Sequence, residues 1–352
     1  MDTLVSTEFA PDMTYLNTST CGLLPRRAVA AVQELAEANA TGRGGEGPGS
    51  FEVLDAARAS FARLAGVPAE RVATGGAVSV HIGMIAASLR PGAEVLLPEG
   101  EFSSLPTPFA VRGDLRPRYV PLERLAEEIR PETALVVFSG VQSADGRLAD
   151  AAAVRAAAAA HGARTLLDAS QSAGWLPLEA GAYDYTVTAG YKFLCCPRGT
   201  SFLTVTEEAQ ESLVPIHASW GAGEDRWGSV YGPVGELAHS ARRFDASPSF
   251  LSYHGAERSL ALLEEIGVGR IHAHATALAD RFRTGLTSLG HAPVAAGGSA
   301  VVCVPGLDHR HPDLRQARVA VAVRAGSLRA AFHLYNTAAD VDRALEVVGA
   351  AS

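Results

Sequence analysis

The chain has 352 residues, a formal net charge of −8 and 47% hydrophobic residues. That length buries a large core and admits two domains, and the hydrophobic share argues against disorder. The acidic balance and the lack of an extended basic stretch point to a small polar ligand rather than nucleic acid. No apolar run approaches the roughly 18 residues needed to span a bilayer, and the N-terminal MDTLVSTEFAPDM lacks the basic-then-apolar pattern of a signal peptide. The four cysteines, Cys21, Cys195, Cys196 and Cys303, have neither disulfide-framework nor metal-site spacing. Reduced thiols in a cytoplasmic protein are the expectation.

In chain order, the glycine-rich stretch TGRGGEGPGS at 41–50 comes first. It reads as a flexible connection rather than a phosphate loop, because no strand precedes it and no GK[ST] follows. The middle of the chain alternates short apolar runs with helical stretches. Runs at 93–98 (AEVLLP), 134–140 (ALVVFSG), 164–170 (RTLLDAS), 185–190 (YTVTAG) and 201–205 (SFLTV) predict strands. The alanine-rich LADAAAVRAAAAAHGA between 140 and 164 predicts a helix, with Gly162 as its stop. Buried strands alternating with helices imply a mainly parallel sheet covered on both faces.

Beyond about residue 246 the character changes. Helices are predicted over 253–266 and 270–289, strands over 300–306 (AVVCVPG) and 319–326 (VAVAVRAG), and a last helix from about 337. The expected organisation is a large domain over 15–245 and a smaller α/β domain built from 1–14 and 246–352.

Lys192 is the only lysine; the other 29 basic residues are arginines. A lysine amine, unlike a guanidinium, loses its proton when desolvated and attacks carbonyls. Lys192 follows the 185–190 strand directly. In open parallel sheets ligands lie beyond the C-terminal strand ends, where Asp168, Ser139 and Gln142 also fall. A buried Asp there needs a donor partner, and a pyridinium nitrogen is one such partner. On residue type alone Asp168 serves equally well as a helix cap.

DASQSAG at 168–174 and AGYKFLCCPRGTSFL at 189–203 are far more specific. With YLNTSTCGLLP, TGGAVSV, EFSSLPTPF, FSGVQSADGRLAD and LRAAFHLYNTAADVDRAL in order along the chain, the sequence resembles the class V aminotransferase family of fold-type I pyridoxal-phosphate (PLP) enzymes. That family includes cysteine desulfurases, kynureninase, isopenicillin-N-epimerase-like enzymes and carbon–sulfur lyases. The resemblance implies PLP as cofactor, with Lys192 as its Schiff-base lysine and Asp168 as the partner of its pyridine nitrogen. It implies Gln171 as donor to the cofactor's phenolic oxygen and Phe102 as the residue stacked on its ring. Ala77, Val78 and Ser79 fall where backbone N–H groups and a hydroxyl hold the phosphate at a helix N-terminus. The family often has Thr where Val78 stands. Tyr191 is placed to reach the phosphate, and Ser247 to reach that of the other subunit in a homodimer with shared sites, unless FDASPSF is a plain Ser-Pro turn. Arg329, six residues before Tyr335, has the spacing of the substrate-carboxylate arginine, and Asn17 falls at the substrate position.

Desulfurases carry a nucleophilic Cys shortly before that arginine. Here the stretch reads VRAGSLRAAFHLYN, without Cys. Kynureninase usually has His where Gln171 stands. The reading that remains is an enzyme acting on an amino acid, a cysteine S-conjugate in a specialised bacterial pathway, by β-elimination or decarboxylation coupled to deamination. An aminotransferase, an epimerase and a non-catalytic binding module of the same fold are the alternatives. Cys21 and Trp220 are further pocket candidates, although both residue types are commonly buried for packing alone.

Overall fold

The computed structural model describes residues 3–5, 7–43 and 49–350. The short strand β1 (Thr14–Tyr15) leads to α1 (Arg26–Thr41), which Gly42 ends in a left-handed conformation, and α2 (Phe51–Ala65), capped by the Ser50 hydroxyl. Of the glycine-rich stretch between these helices, residues 44–48 lie outside the described residues.

There follow β2 (Val72–Gly75), α3 (Val78–Ser88), β3 (Glu94–Pro98), α4 (Thr107–Ala110), β4 (Arg116–Val120) and β5 (Thr133–Ser139). The alanine-rich segment forms α5 (Ala151–His161), capped by Asp150 and stopped at Gly162 with φ 69°. Then come β6 (Arg164–Asp168), β7 (Tyr185–Ala189), β8 (Ser201–Val205), α6 (Glu207–Gln210), α7 (Phe250–Ile266) and α8 (Val268–Ser288). The chain closes through β9 (Val301–Pro305), α9 (His311–Gln316), β10 (Val319–Ala320), β11 (Ala322–Arg324), β12 (Ser327–Ala331) and α10 (Ala338–Gly349).

Seven strands form the main sheet in the order β2-β8-β7-β6-β5-β3-β4. β8 alone runs opposite to the other six. Side-chain alternation shows why both faces must be covered. Leu96, Val136, Phe138 and Leu167 enter one core, while Val95, Leu97, Leu135, Val137 and Leu166 enter the other. α7 packs along α1 and α2 on the first side. A three-stranded sheet, β11-β12-β9, packs with α8 and α10 around a third core.

Four strands escape the sequence pattern, the two-residue β1 among them. β2 has four residues, β4 (RPRYV) is an edge strand with its arginines turned outward, and β12 (SLRAA) has no β-branched residue. The VAVAVRAG run is not one strand. It splits at Val321, because β10 pairs with β1 while β11 pairs with β12.

Candidate active site

The register of the parallel strands brings Ser139 and Asp168 side by side at their C-terminal ends. Asp168 is 6% exposed, and one of its oxygens accepts from Ser170 N at 2.8 Å. Ser170 in turn accepts from Ala189 N at 2.9 Å, which ties the end of β6 to the end of β7. On the other flank, the carboxylate of Glu101 accepts from Ser139 N (2.8 Å), Ser139 Oγ (2.6 Å) and Gln142 Nε2 (2.8 Å). Burial holds the Glu101 carboxyl above its usual range, and the nearby Asp168 pushes it the same way. Sequence reasoning missed Glu101. Its signal was an acid just beyond β3, beside Phe102.

Lys192 sits in the connection between β7 and β8. Gly190 opens that connection, and a Cβ there would collide with Thr200 Oγ1. Gly22 packs so closely on the Lys192 carbonyl that it also has no room for a side chain, and Gly22 N donates to Tyr191 O at 2.9 Å. The SQSAG turn braces the same loop. Gly174, with φ 101°, lies where a Cβ would stand 2.5 Å from Phe193 O. His333 Nε2 donates to that Phe193 carbonyl at 2.8 Å. The amine they position is 7% exposed and lies 5.3 Å from the centre of the Phe102 ring. Burial lowers its pKa, Arg329 and Arg198 lower it further, and Asp168 opposes them. A lysine so placed reaches the neutral, nucleophilic form more readily than an exposed one.

Several groups here lack the partners that a closed protein core would supply. Ala77 caps α3 without a side-chain hydrogen bond, and the first turn of α3, which carries the exposed Ser79, holds no acid to meet the helix N–H groups. Among the described residues, the second carboxylate oxygen of Asp168 has no hydrogen bond. Gln171 Oε1 and Asn17 Oδ1 are buried and unpartnered. Amine, carboxylate, aromatic ring and uncapped helix end are the complement of a flat, phosphate-bearing aldehyde with a ring nitrogen. The residues therefore fit PLP, with one departure. The Gln171 amide nitrogen already donates to Ser19 O (3.0 Å) and Ser143 Oγ (3.1 Å), so its acceptor, not its donor, is the free atom.

Tyr191 stacks under the Arg198 guanidinium, 4.3 Å from its ring centre. Ser247 is exposed, in a segment moored to β2. Asp245 binds Arg58 at 2.6 Å and Thr74 N at 2.7 Å, and Ala246 N donates to Thr74 O. Tyr253, another residue sequence reasoning missed, bonds both the N–H and the carbonyl of Gly75 and so fixes the strand end before the α3 turn.

The substrate side comes from the other sheet. Arg329 on β12 is 2% exposed. It binds the carbonyl and hydroxyl of Ser143 and, at 3.0 Å, Thr20 Oγ1. Burial and Arg324 lower its pKa to about 10. Asn17 bridges to Ala331 of the same strand, and Cys21 lies between Thr20 and Gly22, half-buried. Trp220 belongs to an aromatic cluster with Phe51 (5.0 Å) and Trp227 (5.4 Å). Cys303 is the strand neighbour of Arg329. It is 1% exposed, gives its thiol hydrogen to Ala144 O, and is pushed by burial up to about 12. Such a thiol is inert.

The aminotransferase class-V family profile matches residues 14–344. The chain is 28% identical to isopenicillin N epimerase of Streptomyces clavuligerus over 97% of this chain and 95% of that protein. It is 28% identical to the uncharacterized aminotransferase YcbU of Bacillus subtilis over 86% and 84%, and 28% identical to kynureninase of Deinococcus radiodurans over 77% and 70%. Among solved structures, the cysteine desulfurase of Thermococcus onnurineus superposes with a TM-score of 0.84 at 22% identity, covering 96% of this chain and 94% of that one. The cystine C–S lyase C-DES in complex with cysteine persulfide superposes with a TM-score of 0.86 at 21% identity, covering 96% and 97%. With a match over nearly its whole length and a site built for the cofactor, the chain belongs to the class-V aminotransferase family and is a PLP-dependent enzyme of the fold-type I architecture.

Proposed function

We propose that the enzyme cleaves the C–S bond of a cysteine S-conjugate by β-elimination. The observation that carries this reading is the β11–β12 hairpin. It joins Arg324 to Ser327 through two residues, leaving no loop on which a nucleophilic Cys could approach the substrate beside Arg329. The nearby Cys303 is buried and held protonated. Sulfur therefore leaves on the substrate's own thiol rather than moving to the enzyme.

In this reading Lys192 attaches the cofactor, Asp168 faces its ring nitrogen and Phe102 its ring. The α3 N-terminus at Ala77, Val78 and Ser79 takes the phosphate, with Tyr191 alongside and Ser247 supplied by a second subunit. Gln171 can donate to the phenolic oxygen only by turning one N–H away from Ser143 Oγ. When bound, pyridoxal phosphate draws off the electron pair left on Cα as a bond there breaks. Arg329, with Asn17 beside it, grips the α-carboxylate and so decides which Cα bond is aligned to break. Lys192 Nζ, desolvated and above Phe102, takes the Cα proton and holds it for the departing thiolate. Water then releases pyruvate and ammonia.

The test is product analysis with S-alkyl cysteines. Thiol, pyruvate and ammonia in equal amounts are expected, with loss of at least 1,000-fold in kcat for Lys192→Arg, which keeps the charge but not the removable proton. A keto acid that retains the sulfur substituent would overturn elimination in favour of transamination. Racemisation alone would favour epimerisation, and carbon dioxide with an aldehyde would favour decarboxylating deamination. No reaction in any of these assays would favour a binding module.

A further inference from the structure

Two arginines, not one, face the substrate position. Two consecutive left-handed residues, Ala325 (φ 46°) and Gly326 (φ 71°), close the β11–β12 hairpin in a tight turn. The resulting register pairs Ala322 with Arg329 and Arg324 with Ser327. Arg324 and Ala322 share one face of β11, and Arg329 shares it on β12, so the two arginines are diagonal neighbours. Both guanidiniums reach the same atom, Thr20 Oγ1, at 3.0 Å from Arg329 and 3.3 Å from Arg324. The other bonds of Arg324 and Arg329 go to neutral acceptors: the Val323 carbonyl for Arg324, and the Ser143 carbonyl and hydroxyl for Arg329. No carboxylate lies within ion-pair distance of either among the described residues. Arg329 Nε is buried with no partner at all.

Two like charges converging without an acid repel one another unless anions enter between them. One α-carboxylate satisfies the deep member, Arg329. The outer one, Arg324, is exposed at the mouth, still holding donors in a fork that matches a second carboxylate. We infer that the site selects an amino acid carrying a second anionic group on its side chain, an S-carboxyalkyl cysteine, with Arg329 on the α-carboxylate and Arg324 on the distal one. The inference rests on the cysteine-conjugate reading for its substrate, but the second anion site itself stands apart from the reaction. The short hairpin serves both: it leaves no loop beside Arg329 and presents Arg324 there instead.

Calorimetry on the holoenzyme with unreactive probes tests this without turnover. Glutarate offers two carboxylates, and its half-amide glutaramate offers one in nearly the same shape. The wild type is expected to bind glutarate at least tenfold more tightly. Arg324→Gln should bring the two ligands to within about twofold of each other, and Arg324→Lys should keep part of the preference. Equal affinities in the wild type, a preference that survives Arg324→Gln, or no saturable binding of either probe would each overturn the second anion site. A parallel arm compares pyruvate release from S-carboxymethyl-cysteine and its amide. Glutarate preference without pyruvate from either conjugate removes the lyase reading and leaves the anion site. Pyruvate from both at equal kcat/KM, with equal probe affinities, does the reverse.

Discussion

The two halves of the site are built on opposite principles. The C-terminal end of the main sheet, which carries Asp168 and Lys192, is fixed by backbone. Ser170 binds both Asp168 and the end of β7, and Gly22, Gly174 and Gly190 let three segments touch where no side chain fits. The β11–β12 hairpin is held by pairing with β9 and by the third core, and among the described residues it presents two cations with no acid within ion-pair distance. The first region is satisfied within itself except for the atoms that face the cofactor. The second leaves Arg329 Nε without a partner and two guanidiniums without an acid, which the proposed substrate would meet. In the proposed reading, chemistry lies in the rigid end and choice of substrate in the hairpin.

The largest effect should follow from disturbing the rigid half. Asp168→Asn keeps size and the Ser170 contact but removes the charge that keeps the ring nitrogen protonated. It should bind cofactor yet slow Cα-proton loss, read from washout of deuterium at Cα, by two or more orders of magnitude. Were Asp168 only a turn cap, the variant would lose about 1 kcal/mol of stability with exchange intact. Gly190→Ala probes the same region through packing. The new methyl group must displace Thr200, costing about 1–3 kcal/mol and moving Lys192. The accompanying shift in the cofactor's absorbance maximum separates this from simple destabilisation.

Much of the rigid half was legible in the sequence, because its demands fall on single positions. The lone lysine, an Asp at a strand end and DASQSAG each leave a mark. Glu101 left almost none, since its role comes from Ser139 and Gln142, about 40 residues away, closing on it. The strands of the hairpin half were the least legible. SLRAA has no strand signature, and VAVAVRAG reads as one strand although its two pieces serve two sheets. The pairing of Arg324 with Arg329 depends on that register and on Thr20, some 300 residues earlier, so spacing alone did not disclose it. Gln171 shows the converse limit. The motif names the residue, but only the structure shows its amide nitrogen already engaged.

A smaller effect sharpens the contrast through pH. His81, beneath the α3 turn, is buried against Ser201 Oγ, and burial lowers its pKa from 6.5 to about 4. Between those values the unfolded chain binds the extra proton and the folded one does not. Stability is therefore complete above pH 6.5 and falls as pH drops, by roughly 3 kcal/mol at pH 4 from this residue. His333, lowered to about 3 beside the Lys192 loop, acts in the same direction. Denaturant midpoints over that range should show this slope, and His81→Asn should flatten part of it. A slope unchanged in the variant would place the proton uptake elsewhere.

The role proposed for Lys192 is to carry the cofactor. Borohydride reduction of the yellow holoenzyme, followed by peptide mass analysis, tests it most directly, because the chain has no other lysine. Bleaching of the visible band is expected, with one phosphopyridoxyl adduct on the peptide containing Tyr191-Lys192-Phe193. A band that resists borohydride, an adduct absent from Lys192, or undiminished turnover by Lys192→Arg would contradict it.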